Sequence, residues 1–144
     1  MEFNTILVLC TGNICRSPMA AGLLKQYFPD KQIISAGLQD LSGDPADAIA
    51  VELMQEANID ISAHRAQHVN QGLLRQADLI FVMTKSQLRL LEKQWPFVRG
   101  KTYLIGHWQK QEIPDPYQQP KSAFIYAKQQ LLEAIQSWHE KLSS

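Results

Sequence analysis

Ile6-Leu7-Val8-Leu9-Cys10-Thr11-Gly12-Asn13-Ile14-Cys15-Arg16-Ser17-Pro18 opens on four consecutive apolar residues and closes on a helix-start dipeptide. A short apolar run without alternation reads as a strand buried on both faces of a parallel sheet. Ser17 is a good N-cap and Pro18 suits the first helical position. After them Ala20, Leu23, Leu24 and Tyr27 recur at helical spacing until Pro29 stops the pattern. The segment is a strand, a tight loop and a helix.

The same alternation runs through the rest of the chain. Gln32 to Ala36 reads as a second strand, Gly37 to Gly43 as a loop, and Asp44-Pro45 as the start of a second helix towards Ala57. A short helix around Leu73 and Leu74 leads to an apolar strand from Ala77 to Met83, then to a helix carrying Leu88, Leu91 and Trp95 on one face. Tyr103, Leu104 and Ile105 make a fourth strand. The stretch from Gly106 to Pro120 has no helical or strand period and is long for a connection, the mark of a functional loop. An amphipathic helix closes the chain, with Phe124, Ala127, Leu131, Ile135, Trp138 and Leu142 as its apolar stripe. These elements predict a three-layer α/β fold: a four-stranded parallel sheet, doubly wound, with helices on both faces and right-handed crossovers. Ligands in such folds sit beyond the carboxyl ends of the strands, where the loop after the first strand lies.

The 144 residues suit one domain, read as 1–144. Fourteen basic residues balance fourteen acidic ones, so no broad field draws the chain to nucleic acid or an anionic membrane. No apolar stretch is long enough to span a bilayer, and the N-terminus lacks the pattern of a signal peptide. Cys10 and Cys15 stand five residues apart, a spacing that argues for free thiols in a reducing compartment, hence a cytoplasmic protein. No pair of the four histidines has convincing metal-ligand spacing, and each reads as a surface or partly buried polar residue.

The loop from Cys10 to Ser17 can turn its backbone N–H groups onto one point at a helix N-terminus, which is a phosphate site. Gly12 and Asn13 are residue types that tolerate the positive φ such a curl needs. Cys10 stands at the edge of this positive cradle, a place where a thiol gives up its proton readily. An arginine six residues on can grip two phosphate oxygens with its planar fork while the sulfur attacks phosphorus. Ser17 can cap the helix and donate to the sulfur. A departing phenolate needs a proton, and Ile113-Pro114-Asp115-Pro116-Tyr117 holds a carboxylate between two stiffening prolines. With two cysteines and five arginines in the chain the Cys–Arg spacing alone is a weak signal, and Asp-Pro alone is an ordinary turn starter. Their context carries the weight.

Taken together, Cys10-Thr11-Gly12-Asn13-Ile14-Cys15-Arg16-Ser17-Pro18, Ser35-Ala36-Gly37 and Asp115-Pro116-Tyr117 resemble the low-molecular-weight protein-tyrosine phosphatase family over the whole chain. The resemblance implies a phosphotyrosine protein as substrate, a phosphocysteine on Cys10, and inorganic phosphate as product. It implies that the amides from Thr11 to Arg16, with the Arg16 side chain, hold the phosphate. Asp115 would give and then take a proton, with no cofactor and no metal. It implies too that side-chain hydrogen bonds hold Asn13 in its strained conformation. Cys15 would match a second loop cysteine able to pair reversibly with Cys10 on oxidation. Tyr117 should stack on the phosphotyrosine ring. Leu41 is the expected aliphatic contact opposite, since this loop offers only Leu38 and Leu41. The segment His64-Arg65-Ala66-Gln67-His68 only partly follows the family's His-x-Ala-Arg-Gln stretch. Gly106-His107-Trp108 ahead of Glu112-Ile113-Pro114-Asp115 resembles the bacterial branch that dephosphorylates tyrosine kinases of capsule and exopolysaccharide export.

Three other readings compete. An arsenate reductase-like enzyme would use the same loop, but no cysteine follows Cys15, so it would need external thiols. A non-catalytic phosphotyrosine-binding module would need neither nucleophile nor acid. A redox switch built on Cys10 and Cys15 would leave Arg16 and Asp115 unexplained.

Overall fold

The computed structural model describes residues 3–143; the sequence readings that reach residues 1, 2 and 144 lie outside the described residues. Four strands, β1 (Thr5–Cys10), β2 (Gln32–Gly37), β3 (Leu79–Val82) and β4 (Thr102–Leu104), pair in the order β2-β1-β3-β4, all parallel. The helices are α1 (Arg16–Tyr27), α2 (Ala48–Glu56), α3 (Gln71–Gln76), α4 (Lys85–Gln94) and α5 (Lys121–Ser143).

The two-residue period of the strands sorts the core into two layers. Ile6, Val8 and Cys10 of β1 pack with Leu79 and Phe81 of β3 against α1, α2 and α5, while Leu7, Leu9, Ile80 and Val82 face α3 and α4. Every residue of β1 and β3 is buried, as strands covered on both sides must be. The expected three-layer parallel fold is therefore what the chain adopts. The chain leaves β1 to one side through α1 and returns to its other side through α2 and α3. The β1–α1 loop accordingly opens into the crevice where successive crossovers part.

Several boundaries differ from expectation. Helix α1 starts at Arg16, with Cys15 as N-cap and no side-chain cap, so Ser17 is not the N-cap and Pro18 is not its first residue. Pro18 remains in the first turn, where a missing N–H costs nothing. Helix α2 starts at Ala48, not at Asp44-Pro45. Asp47 caps it by accepting from the Ile49 N–H at 2.9 Å. Pro45 instead bridges Arg65, and the Asp44 carbonyl accepts from the Ala66 N–H at 2.7 Å, holding that stretch extended. The third strand is shorter than Ala77–Met83 because Ala77 closes α3 and donates to the Leu73 carbonyl. Trp95 ends α4, a 3₁₀ turn over Pro96–Val98 follows, and β4 lies one residue earlier than Tyr103–Ile105. Among the described residues no helix is long and apolar enough to cross a membrane.

The stretch from Gly106 to Pro120 lacks regular structure but is pinned. The buried Trp138 indole donates to the Ile105 carbonyl at 2.8 Å, and its ring lies 4.9 Å from that of Phe81. Gln109 donates to the Ser137 hydroxyl at 2.7 Å, and the Ile113 N–H to the Met83 carbonyl at 3.0 Å. At Gly106 a Cβ would stand 2.2 Å from the Gln111 carbonyl oxygen, which is backbone and cannot swing aside. Gly106→Ala should therefore displace the loop and cost about 1–3 kcal/mol. A urea denaturation midpoint equal to that of the wild type would show that the loop is not held there.

Candidate active site

The loop after β1 is shaped by where its carbonyls go. The Cys10 carbonyl accepts from the Leu38 N–H at 2.9 Å, Thr11 from Gln39 at 2.8 Å, Ile14 from Asp47 at 2.8 Å and Cys15 from Met19 at 3.2 Å. The Asn13 carbonyl lies 2.6 Å from His64 Nε2. Because no peptide among the described residues is cis, each outward carbonyl turns the next N–H the opposite way. The amides of Thr11, Gly12, Ile14, Cys15 and Arg16 thus point into the bowl. Asn13 is the exception, since its N–H donates to Cys10 Sγ at 3.2 Å.

Asn13 is fully buried at φ 61°, in the left-handed region, and its side chain ties the bowl to the sheet. Its Nδ2 donates to Ser17 Oγ at 2.8 Å and to Ser35 Oγ at 3.0 Å, and its Oδ1 accepts from the Gln67 N–H at 2.9 Å. An amide nitrogen only donates, so the Ser17 oxygen is the acceptor and its own proton is free for Cys10 Sγ, 2.9 Å away. Ser17 therefore serves the sulfur and not the helix end. Gly37 passes close behind, where a Cβ would lie 3.0–3.1 Å from the Gly12 and Asn13 backbone.

Arg16 is buried and reaches along the bowl's edge. Its Nη1 donates to the Ile113 carbonyl at 2.9 Å, its Nη2 to Thr11 Oγ1 at 3.3 Å, and Nη2 lies 3.6 Å from Asp115 Oδ2. Its Nε is buried and donates to no protein group, an orphan donor in a cradle of inward amides. Asp115 is half-exposed and accepts from the Tyr117 N–H at 3.0 Å, which holds the carboxylate over the bowl. Burial, with the Asp47 carboxylate beside it, pushes the Cys15 thiol far up, so Cys15 stays protonated at neutral pH. Both cysteines are free.

One cavity of about 230 Å³ collects Cys10, Thr11, Gly12, Ile14, Cys15, Arg16, Leu41, Asp115 and Tyr117, together with Gln39. Asn13 and Ser17, expected among the binding residues, stand behind the loop with no exposed surface and act on its shape and on the sulfur. Ser35 and Gln67 stand in the sequence only within the Ser35-Ala36-Gly37 motif and the His64–His68 segment, with no role assigned, while Gln39 and Gln87 carry no site signal beyond the Thr84-x-x-Gln87 capping pattern. Among the described residues no group of three His, Cys, Asp or Glu side chains is placed to hold a metal ion.

Residues 5–144 match the family model described as low molecular weight phosphotyrosine protein phosphatase. The chain belongs to that family. It is 46% identical to the low molecular weight protein-tyrosine-phosphatase Ptp of Acinetobacter johnsonii, over 96% of this chain and 97% of that protein. Among solved structures it resembles Vibrio vulnificus Wzb in complex with benzylphosphonate, at 43% identity and a TM-score of 0.94, covering 97% of this chain and 99% of that one. The Erwinia amylovora tyrosine phosphatase AmsI is similar at 42% identity and a TM-score of 0.95, covering 99% and 95%. In this phosphatase Cys10, Arg16, Asp115 and Tyr117 line one cavity.

His64 adds a pH dependence to this phosphatase's loop. A carbonyl can only accept, so His64 Nε2 carries the proton in its bond to Asn13. Burial lowers the pKa of this imidazole below its ordinary 6.5, outweighing the bond to Asn13. A group depressed on folding contributes stability that is full above the unfolded pKa and fades as pH falls through the folded one. His64→Gln keeps a donor of similar reach but does not titrate. The stability advantage of wild type over His64→Gln should shrink from pH 7.5 to pH 5 in urea denaturation, and an advantage constant over that range would contradict the assignment.

Proposed function

We propose that this phosphatase, acting as one cytoplasmic domain, hydrolyses phosphotyrosine in proteins through a phosphocysteine on Cys10. The observation that carries the reading is the bowl itself: inward amides, the Cys10 sulfur at its floor, and the buried Arg16 Nε with no protein acceptor. A phosphoryl group supplies acceptors for those donors. In the first step the Cys10 thiolate attacks phosphorus, the bond to the phenolic oxygen breaks, and Asp115 gives that oxygen its proton. In the second, water attacks phosphorus, Asp115 takes a proton from it, and the sulfur leaves as thiolate, releasing inorganic phosphate. The Ser17 hydroxyl, aimed at the sulfur, favours that departure.

The walls favour an aryl ester. Leu41, Ile14 and the half-exposed Tyr117 line the cavity and give it apolar surface beside the phosphate end. Benzylphosphonate, bound in the Vibrio vulnificus relative, likewise carries a phenyl ring next to a phosphonate. We further propose that the substrate is an autophosphorylated tyrosine kinase of polysaccharide export. Support comes from the resemblance of the Gly106–Trp108 and Glu112–Asp115 segments to that bacterial branch, and from an open site suited to a flexible phosphorylated tail. The cytoplasmic placement is supported by two free cysteines. The full set of Cys10, Arg16 and Asp115 favours hydrolysis over a binding module.

Asp115→Asn should lower kcat for phenyl phosphate by about 10²–10⁴. The loss should be smaller for p-nitrophenyl phosphate, whose leaving group needs less help, while inhibition by inorganic phosphate changes little. Steady-state rates on both esters check this. Equal losses on the two, or none, would remove Asp115 from the role of proton donor.

A further inference from the structure

The first turn of α4 approaches the phosphate clamp from outside the β1–α1 loop. Gln87, in that turn, is only 7% exposed. Its Oε1 accepts from the Met83 N–H at 2.8 Å and the Thr84 N–H at 3.3 Å, and its own N–H donates to Thr84 Oγ1 at 3.2 Å. This is a complete capping box, which any glutamine or glutamate acceptor satisfies. The box leaves the amide nitrogen over. With Oε1 held by two donors the roll of the amide is set, and Nε2 donates to Thr11 Oγ1 at 3.2 Å. That same oxygen accepts from Arg16 Nη2 at 3.3 Å.

We propose that Gln87 is a positioning residue for Arg16, acting through Thr11. The proposal rests on the reading of Cys10 and Arg16 given above. The guanidinium is fixed at two corners, and both fixings lead back to the β3–α4 turn. Nη2 reaches it through Thr11 and Gln87. Nη1 reaches it through the Ile113 carbonyl, whose own N–H donates to the Met83 carbonyl. Two fixed corners of a planar group set the direction of the third nitrogen, Nε, which is buried and has no protein acceptor. The alternative partner of Nη2 is Asp115 Oδ2, 3.6 Å away. Without the Gln87–Thr11 contact, Nη2 is free to close on that carboxylate. Nε then turns away from the bowl, and phosphate loses one arm of the fork.

The test is a double-mutant cycle on inorganic phosphate binding, measured by titration calorimetry, with p-nitrophenyl phosphate kinetics alongside. Gln87→Leu and Thr11→Val should each weaken phosphate binding about three- to tenfold, the size of one lost buried hydrogen bond. Thr11→Ser, which keeps the oxygen, should recover most of the affinity that Thr11→Val loses. Adding Gln87→Leu to Thr11→Val should cost no further affinity, while the urea midpoint drops by the same amount in both backgrounds because the capping box is lost in each. Losses of affinity that add would overturn the proposal, since Gln87 would then act through the helix start alone. In that case the wild type still binds and turns over substrate, and the reading of the site stands. A wild type that binds no phosphate would overturn both.

Discussion

Every hydrogen-bonding group of Asn13 is committed to holding one curl of backbone. Its N–H meets the Cys10 sulfur, its carbonyl meets His64, and its side chain joins Ser17, Ser35 and the Gln67 N–H. The left-handed conformation it adopts costs a non-glycine residue roughly 1–2 kcal/mol. Several buried hydrogen bonds, each worth about 0.5–1.5 kcal/mol net, outweigh that cost. The curl is what turns the neighbouring amides inward and the Ser17 proton towards sulfur. The bowl is consequently formed before any anion arrives, so binding does not have to supply the ordering free energy of the loop.

The rest of the fold brings three separate elements to that bowl. The buried strand β1 delivers Cys10 to the carboxyl edge of the sheet, and α1 turns the Arg16 side chain across the opening. The pinned stretch after β4 carries Ile113 to Arg16 and Asp115 over the sulfur side. Its Glu112 carboxylate accepts from the Lys85 N–H at 2.7 Å, joining the acid's loop to the positive end of α4. None of these contacts lies close in sequence. They exist because parallel strands order their carboxyl ends along one edge of the sheet.

That distinction decides what the sequence discloses. The four strands and the layers follow from local periods, whereas the order β2-β1-β3-β4 does not, and the runs at Ile6–Leu9 and Leu79–Val82 declare their double burial directly. Cys10, Arg16, Asp115, Tyr117 and Leu41 carry their chemistry in residue type and spacing, and they line one cavity. Ser17 misleads, because its cap propensity is outbid by an Asn13 amide four residues away. Asp44-Pro45 misleads for a similar reason, since pairing with the Arg65–Ala66 segment takes the backbone that a helix would use. Ser35, Gln67 and Gln87 are ordinary polar residues until the fold sets them beside the loop.

The proposed mechanism makes the sulfur of Cys10 the atom that takes the phosphoryl group. Rapid acid quench of wild type and Cys10→Ser during turnover of a ³²P-labelled aryl phosphate, followed by peptide mapping, tests this most directly. Label is expected on the peptide carrying Cys10 in the wild type and none in the variant, with turnover lost alongside it. Label retained in Cys10→Ser, or turnover in the wild type with no labelled enzyme at any quench time, would contradict it.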